Sequence, residues 1–89
     1  MADHIVRSWP KFFEPITQGI RKHELRKNDR NYQIGDVLWL HEFDPDDEKY
    51  TGRIQKIRIT SMTSKETTCA VSNESLHPDY CIFSFDLVR

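Results

Sequence analysis

Short strand-like segments separated by turn-forming residues constrain the fold of this chain more than any other feature. The segments are "HIVRSW", "KHELRKN", "VLWLHEF", "YTGRIQKIRITSM" and "YCIFSFDLV", which alternate in polarity or are rich in apolar and aromatic residues. Such segments are typical of strands with a buried face. No long stretch repeats apolar residues at the helical period, and no GxGxxG motif is present, so all-helical and dinucleotide-binding folds lack their patterns. The sequence therefore predicts a mainly β (α+β) fold, built as a small barrel or half-barrel of antiparallel strands.

One helix is expected after the first strand, over "PKFFEPITQG". Pro10 suits the first helical turn, and Gly19 suits the end of the helix. Pro15 lacks an N–H, and its ring crowds the preceding turn. We therefore expect a short helix that is irregular or made of two parts.

The 89 residues suit one domain, residues 1–89. No stretch approaches the roughly 20 apolar residues of a membrane span, and the N-terminus lacks the pattern of a signal peptide. Cys69 and Cys81 belong to no CxxC pair, and no Cys/His cluster has zinc-finger spacing. These patterns predict a cytoplasmic protein with reduced structural thiols, no metal and no cofactor.

The net charge of -1 conceals an uneven distribution of charge. Residues 21–30 contain five basic residues against Glu24 and Asp29, whereas residues 42–48 contain five acids and no base. Local patches of this kind steer charged ligands even when the whole protein is nearly neutral. The sequence thus predicts one positive face and one acidic loop.

The basic segment "HELRKNDR" has two interpretations. Glu24 and Arg26 are two residues apart on a predicted strand, so they share one face, with Arg21 before them and Arg30 after them. A carboxylate among cations can orient guanidinium groups toward a phosphate or a base edge. The same pattern is also that of a surface ion-pair ladder, which contributes little to stability.

Two aromatic residues are candidates for stacking on a base, which is how many proteins hold single-stranded nucleic acid. Trp39 lies in the apolar "VLWLHEF", which favours a core position. Tyr32 lies in the turn-rich "NDRNYQIGD", which favours a more open position. In "YTGR", Gly52 before Arg53 suits either a turn or the close approach of a ligand.

Several separated motifs resemble one known family. "GIRKHELRKNDRNYQIGD" is similar to the G-x-K-x-x-E-[IL]-R-x-x-D-R…[VI]-G-D signature of ASCH domains in the PUA-like superfamily. His4, Phe12-Phe13, "LHEFD" and "YTGR" follow the family order. The likeness covers nearly the whole chain and is closest to a small bacterial and phage-borne family of unknown function within that group.

The resemblance implies a PUA-like β-barrel of about five to six strands with a cleft beside the first helix. ASCH domains are thought to bind RNA or modified nucleosides, some relatives deacylate N4-acetylcytidine, and a few are reported as nucleases. Glu24 and Arg26 match the Glu and Arg of the signature, but Arg21 stands at its Lys position, beside Lys22. The hydrolase relatives also place a Thr where this chain has Glu24. Because an arginine does not lose its proton, Arg21 suits anion binding better than hydrolysis.

The sequence therefore predicts an RNA- or nucleotide-binding protein with a charged cleft and no membrane association. Its predicted ligand-binding residues are Arg21, Lys22, Glu24, Arg26, Asp29, Arg30, Tyr32 and Arg53. The alternative is a small amidohydrolase acting on an N-acylated nucleoside, with Glu24 as general acid/base and Lys22 near the developing oxyanion. A third hypothesis is an accessory protein that binds another protein through the acidic "DPDDEK" loop.

Overall fold

A computed structural model describes all 89 residues and confirms the mainly β class. The chain forms one curled, five-stranded sheet and two short helices. In chain order the elements are β1 (Asp3–Ser8), α1 (Pro10–Thr17), β2 (His23–Lys27), β3 (Val37–Asp44), β4 (Lys49–Thr63), α2 (Ser72–Ser75) and β5 (Tyr80–Val88). All five expected strands are present, and the polar segment before β5 contains the additional short helix α2.

The strand order in the sheet is β1-β3-β4-β5-β2. Three of the pairings are antiparallel, as expected, but β1 pairs with β3 in parallel, from Asp3 opposite Val37 to Ser8 opposite Glu42. The chain leaves β1 through α1, forms β2 at the far edge, and then returns to run beside β1 in the same direction. β1 and β2 are therefore the two edge strands of the sheet.

The curl of the sheet brings these two edges together without a backbone ladder between them. Both Nη atoms of Arg26, on β2, lie 3.3 Å from the carbonyl oxygen of Arg7, on β1, and donate to it. We call this boundary between the edge strands the seam. The sheet is therefore a half-barrel, and its two edges are joined by the Arg26 side chain and not by strand pairing.

α1 is one continuous helix of eight residues, not the irregular or two-part helix expected from Pro15. Proline removes only one backbone donor, and the burial of Phe13 and Ile16 against the sheet holds the helix together. Gly19 has a φ of +76°, in the left-handed region that glycine adopts without strain. The chain thereby turns out of the helix toward β2.

The hydrophobic core lies inside the curl. Its residues are Val6, Phe13, Ile16, Tyr32, Leu38, Leu40, Ile57, Ile59, Cys81, Phe83 and Phe85. Cys69 and Cys81 are both free thiols. Burial raises the pKa of the Cys81 thiol to about 11, so this cysteine stays neutral within the core, whereas Cys69 is exposed.

Tyr32 is a core residue, which corrects the expectation that it is open. It is only 2% exposed and packs between the rings of His4 and Phe83, at centroid distances of 4.9 and 5.5 Å. Burial raises the pKa of its phenol. The segment around it is rich in turn formers, but the curl folds this turn over the end of the sheet, so the ring is covered.

Trp39 is not a core residue, although its apolar surroundings favoured that position. β3 carries apolar residues on both faces, and Leu38 and Leu40 are the ones that point into the core. Trp39 lies half-buried on the outer face, where its Nε1 donates to Asp3 at 3.1 Å and the Lys56 ammonium lies 4.7 Å from the ring centroid. This ring is already covered by a cation of the same chain.

Asp36 anchors the beginning of β1. Its carboxylate is 2% exposed, accepts from the backbone N–H groups of Ala2 and Gln33 at 3.0 Å each, and lies 2.9 Å from His4 Nε2. Burial acts to raise the pKa of the Asp36 carboxyl, but these hydrogen bonds outweigh burial and hold that pKa below its usual value of 3.8.

The lowered pKa of Asp36 predicts a loss of stability in acid. The Asp36 carboxyl releases its proton more readily in the folded protein than in the unfolded chain. Its contribution to the free energy of unfolding is therefore complete above about pH 4 and is lost as pH falls further. Asp36→Asn is expected to lower the free energy of unfolding by about 2 kcal/mol at pH 7. Urea unfolding at pH 7 and pH 2.5 should show this difference shrinking in acid, with the loop variant Asp47→Asn as control. If the wild type and Asp36→Asn differed in stability equally at both pH values, the ionised Asp36 carboxylate would not be the source of the difference.

Candidate ligand-binding cleft

A cleft of about 550 Å³ lies where the seam passes the start of α1. Its walls are the end of β1, the first turn of α1, the loop after α1, and β2 with the turn that follows. Six of the residues predicted from sequence line it: Arg21, Glu24, Arg26, Asp29, Arg30 and Tyr32. The volume lies within the range of ordinary small-ligand sites.

Glu24 is at the centre of the cleft and is only 6% exposed. Glu24 and Arg26 share one face of β2, as their spacing predicted. That face is the inward one, and the apolar Leu25 is exposed on the other. Arg26 Nη1 donates to Glu24 Oε2 at 2.9 Å, and Arg21 Nε lies 4.0 Å from Glu24 Oε1. The carboxylate thus fixes the guanidinium of Arg26 by a direct hydrogen bond, while that of Arg21 lies at the limit of ion-pair distance.

Two buried polar atoms in this cleft have no hydrogen-bond partner in the protein. They are Ser8 Oγ, in a residue that is 4% exposed, and Arg21 Nε. Buried donors and acceptors are nearly always paired in folded proteins, with protein groups or with bound molecules. Both side chains line the cleft, but these two atoms themselves have almost no surface open to it.

An aromatic pair stands beside the charged groups. The rings of Trp9 and Phe12 are stacked, with centroids 6.2 Å apart and planes 22° from parallel, and Trp9 is 46% exposed. The guanidinium of Arg21 lies 4.7 Å from the centroid of the Phe12 ring. Because Trp9 and Phe12 both line the cleft, a flat ligand can meet an aromatic surface and guanidinium groups at once.

The lining of the cleft is positively charged overall. Five cations surround two carboxylates: Arg7, Arg21, Arg26, Lys27 and Arg30 against Glu24 and Asp29. This excess of positive charge occurs in a protein whose net charge is -1. The predicted positive face is therefore present, and its ligand is expected to be an anion.

The structure does not bring Lys22 and Arg53 to the cleft. Lys22 is exposed and lines no part of it. Arg53 Nη1 lies 2.8 Å from Glu14 and 3.8 Å from Glu42, and its guanidinium covers the Phe13 ring at 5.0 Å. Arg53 therefore ties α1 to the sheet instead of contributing to the cleft.

Sequence reasoning missed six residues of the cleft: Arg7, Ser8, Trp9, Phe12, Leu25 and Lys27. A Trp-Pro pair directly after a strand was the available signal. The proline fixes the start of the helix, so the preceding Trp9 lies at the corner between β1 and α1. That corner borders the seam only because β1 is an edge strand, which local patterns do not show.

Two further findings concern other kinds of site. Among the His, Cys, Asp and Glu side chains, no three converge in a way that could hold a metal ion. The structure also contains no helix that is both long enough and apolar enough to cross a membrane.

Comparisons with known proteins place this chain within a wider group. A family model described as "Domain of unknown function (DUF3850)" matches residues 3–85, which include every residue of the cleft. A protein of Escherichia phage P2, described as "Uncharacterized 12.9 kDa protein in GpA 3'region", is 42% identical over 60 residues. Those residues are 67% of this chain and 53% of the phage protein, so the match spans about half of the length of that relative.

Proposed function

This chain belongs to the DUF3850 family, a domain family of unknown function, and we propose that it binds RNA or a nucleotide in the cleft on the seam. One observation carries the proposal: the exposed ring of Trp9, stacked on Phe12, and a cluster of guanidinium groups line the same cleft. Nucleotides combine a flat base with an anionic phosphate. Proteins that bind single strands use this combination of stacking surfaces and cations.

The contacts suggest a role for each side chain. The base stacks on Trp9, the exposed ring of the pair, while Arg21 and Arg26 donate to a phosphate or to the edge of the base. Glu24 keeps the guanidinium of Arg26 aligned and can accept from an exocyclic amine.

We also propose that the domain is an ASCH-like member of the PUA-like superfamily. Two features support this assignment. The signature residues from Gly19 to Asp36 include three of the cleft's central side chains, Arg21, Glu24 and Arg26. The half-barrel with a short helix beside the cleft is the architecture that the resemblance implies.

No specific observation favours the amidohydrolase alternative. That mechanism pairs Glu24 with Lys22, and Lys22 does not line the cleft. The cations that do approach Glu24 are arginines, which do not exchange protons at ordinary pH. Turnover of N4-acetylcytidine by the wild type, lost in Glu24→Gln, would favour hydrolysis over binding.

Fluorescence anisotropy with labelled single-stranded and hairpin RNAs, at low and moderate salt, tests the binding proposal. Arg26→Ala is expected to weaken binding about tenfold and to make the salt dependence less steep, because one phosphate contact is lost. Arg58→Ala is the matched control, since Arg58 is exposed on β4 and does not line the cleft.

Two results would contradict the proposal. One is the absence of RNA and nucleotide binding by the wild type at low salt. The other is an equal loss of affinity in Arg26→Ala and Arg58→Ala, which would indicate attraction to general surface charge instead of to the cleft.

A further inference from the structure

A second groove, of about 400 Å³, continues from the cleft along the outer side of β1. Its charged lining residues are Arg7, Arg26 and Arg30, and no carboxylate lines it. The other side chains that matter here are His41 and Tyr50, from β3 and β4. The groove is therefore suited to an anion more clearly than the cleft itself, where two carboxylates offset part of the positive charge.

Tyr50 provides an exposed ring that is held in place on one side. It is 55% exposed, and its ring meets those of His41 and Phe43 edge-on, with centroids 6.1 and 5.1 Å away. Arg7 Nε donates to the Tyr50 hydroxyl at 3.0 Å, and the Arg7 guanidinium covers the Phe43 ring at 4.3 Å. A ring fixed in this way loses little further freedom when a base stacks on it.

The cleft and the groove share their cations. Arg7, Arg26 and Arg30 line both of them, and the bond from Arg26 to the Arg7 carbonyl crosses the boundary between them. Each side of this arginine boundary has an exposed aromatic ring: Trp9 on one side, and Tyr50 on the other. The protein thus presents a ring, a set of cations and a second ring in that order. A polynucleotide strand presents the complementary order of a base, a phosphate and another base.

We infer that the ligand is a single-stranded oligonucleotide that runs across the seam and occupies both sites. One base stacks on Trp9, the backbone phosphates that follow lie against the shared arginines, and another base of the same strand meets Tyr50. This inference rests on the proposed function and narrows its ligand, because a free mononucleotide fills only one of the two sites.

A competition assay tests the inference: unlabelled hexamer or mononucleotides displace a labelled RNA hexamer of mixed sequence from the wild type and from Tyr50→Leu. This variant removes the ring, and Tyr50→Phe keeps the ring while removing the hydroxyl that binds Arg7. The wild type is expected to bind the unlabelled hexamer at least about tenfold more tightly than the mononucleotides. Compared with Tyr50→Phe, Tyr50→Leu is expected to lose about fivefold or more in hexamer affinity and clearly less in mononucleotide affinity, because only the hexamer needs both sites.

Tyr80→Leu is the matched control, since Tyr80 is an exposed tyrosine on β5 that lines neither site. The inference is overturned if mononucleotides bind as tightly as the hexamer, or if Tyr50→Leu binds the hexamer like the wild type. In either case, mononucleotide binding that depends on Arg26 would leave the proposed function intact. If neither mononucleotides nor the hexamer bind, both are wrong. Circular dichroism spectra of the variants show whether each has kept its fold.

Discussion

A Glu24→Ala variant is expected to unfold with a free energy about 3 kcal/mol lower than that of the wild type. Glu24 is 6% exposed, while the side chains of Arg21 and Arg26 are 25% and 23% exposed. Removing the carboxylate leaves two partly buried guanidinium groups facing each other with no anion between them. Their remaining exposure places the cost at the lower end of the range for a broken buried ion pair.

Glu24→Gln separates the charge from the shape of this side chain. Glutamine keeps an oxygen that can accept from Arg26, so its cost is expected to be clearly smaller than that of Glu24→Ala. Urea unfolding of both variants measures the two costs, with Glu74→Ala as the control because Glu74 is exposed. If Glu24→Ala and Glu74→Ala unfold alike, the pair behaves as a surface ion pair and the cleft is not organised by Glu24.

A Trp9→Ala variant is expected to bind single-stranded RNA about 30-fold more weakly than the wild type, because a stacked base loses its aromatic partner. The slope of affinity against salt should stay the same, since no cation is removed. Anisotropy titrations at several salt concentrations measure both quantities. Ile20→Ala is the control, since Ile20 is 73% exposed in the loop after α1 and does not line the cleft.

The chain's two tryptophans also allow an optical test of the same contact. In Trp39→Phe the remaining tryptophan is Trp9, and its fluorescence should be quenched as RNA is added. In Trp9→Phe the remaining tryptophan is Trp39, whose ring is covered by Lys56, and quenching should be much weaker. Equal quenching in the two variants would contradict stacking on Trp9.

The strands were predictable because alternation and turn residues act over a few positions. Cys81, Phe83 and Phe85 alternate inward as their pattern indicates. The parallel pairing of β1 with β3 was not predictable in this way, because it depends on where the chain returns after β2. Local polarity carries no information about which edge of a sheet a strand joins.

The candidate site was predictable in its charged half and not in its aromatic half. Glu24 and Arg26 are neighbours on one strand, so their spacing was sufficient to place them together. Trp39 and Tyr32 exchanged their expected environments, since Tyr32 entered the core while Trp39 lies half-buried on the outer face of the sheet. The burial of an aromatic residue depends on which side of the curl it meets, and that is a property of the assembled sheet.

The open seam also affects how the protein behaves among copies of itself. An unpaired strand edge is a template onto which another chain can add a strand, and this is a common beginning of aggregation. Here Arg26 occupies the Arg7 carbonyl on one edge, and Lys27 adds charge to the other. The cations that favour an anionic ligand therefore also protect the two edges from misassembly, so neutralising several of them together would make the protein prone to aggregate as well as weaken its binding.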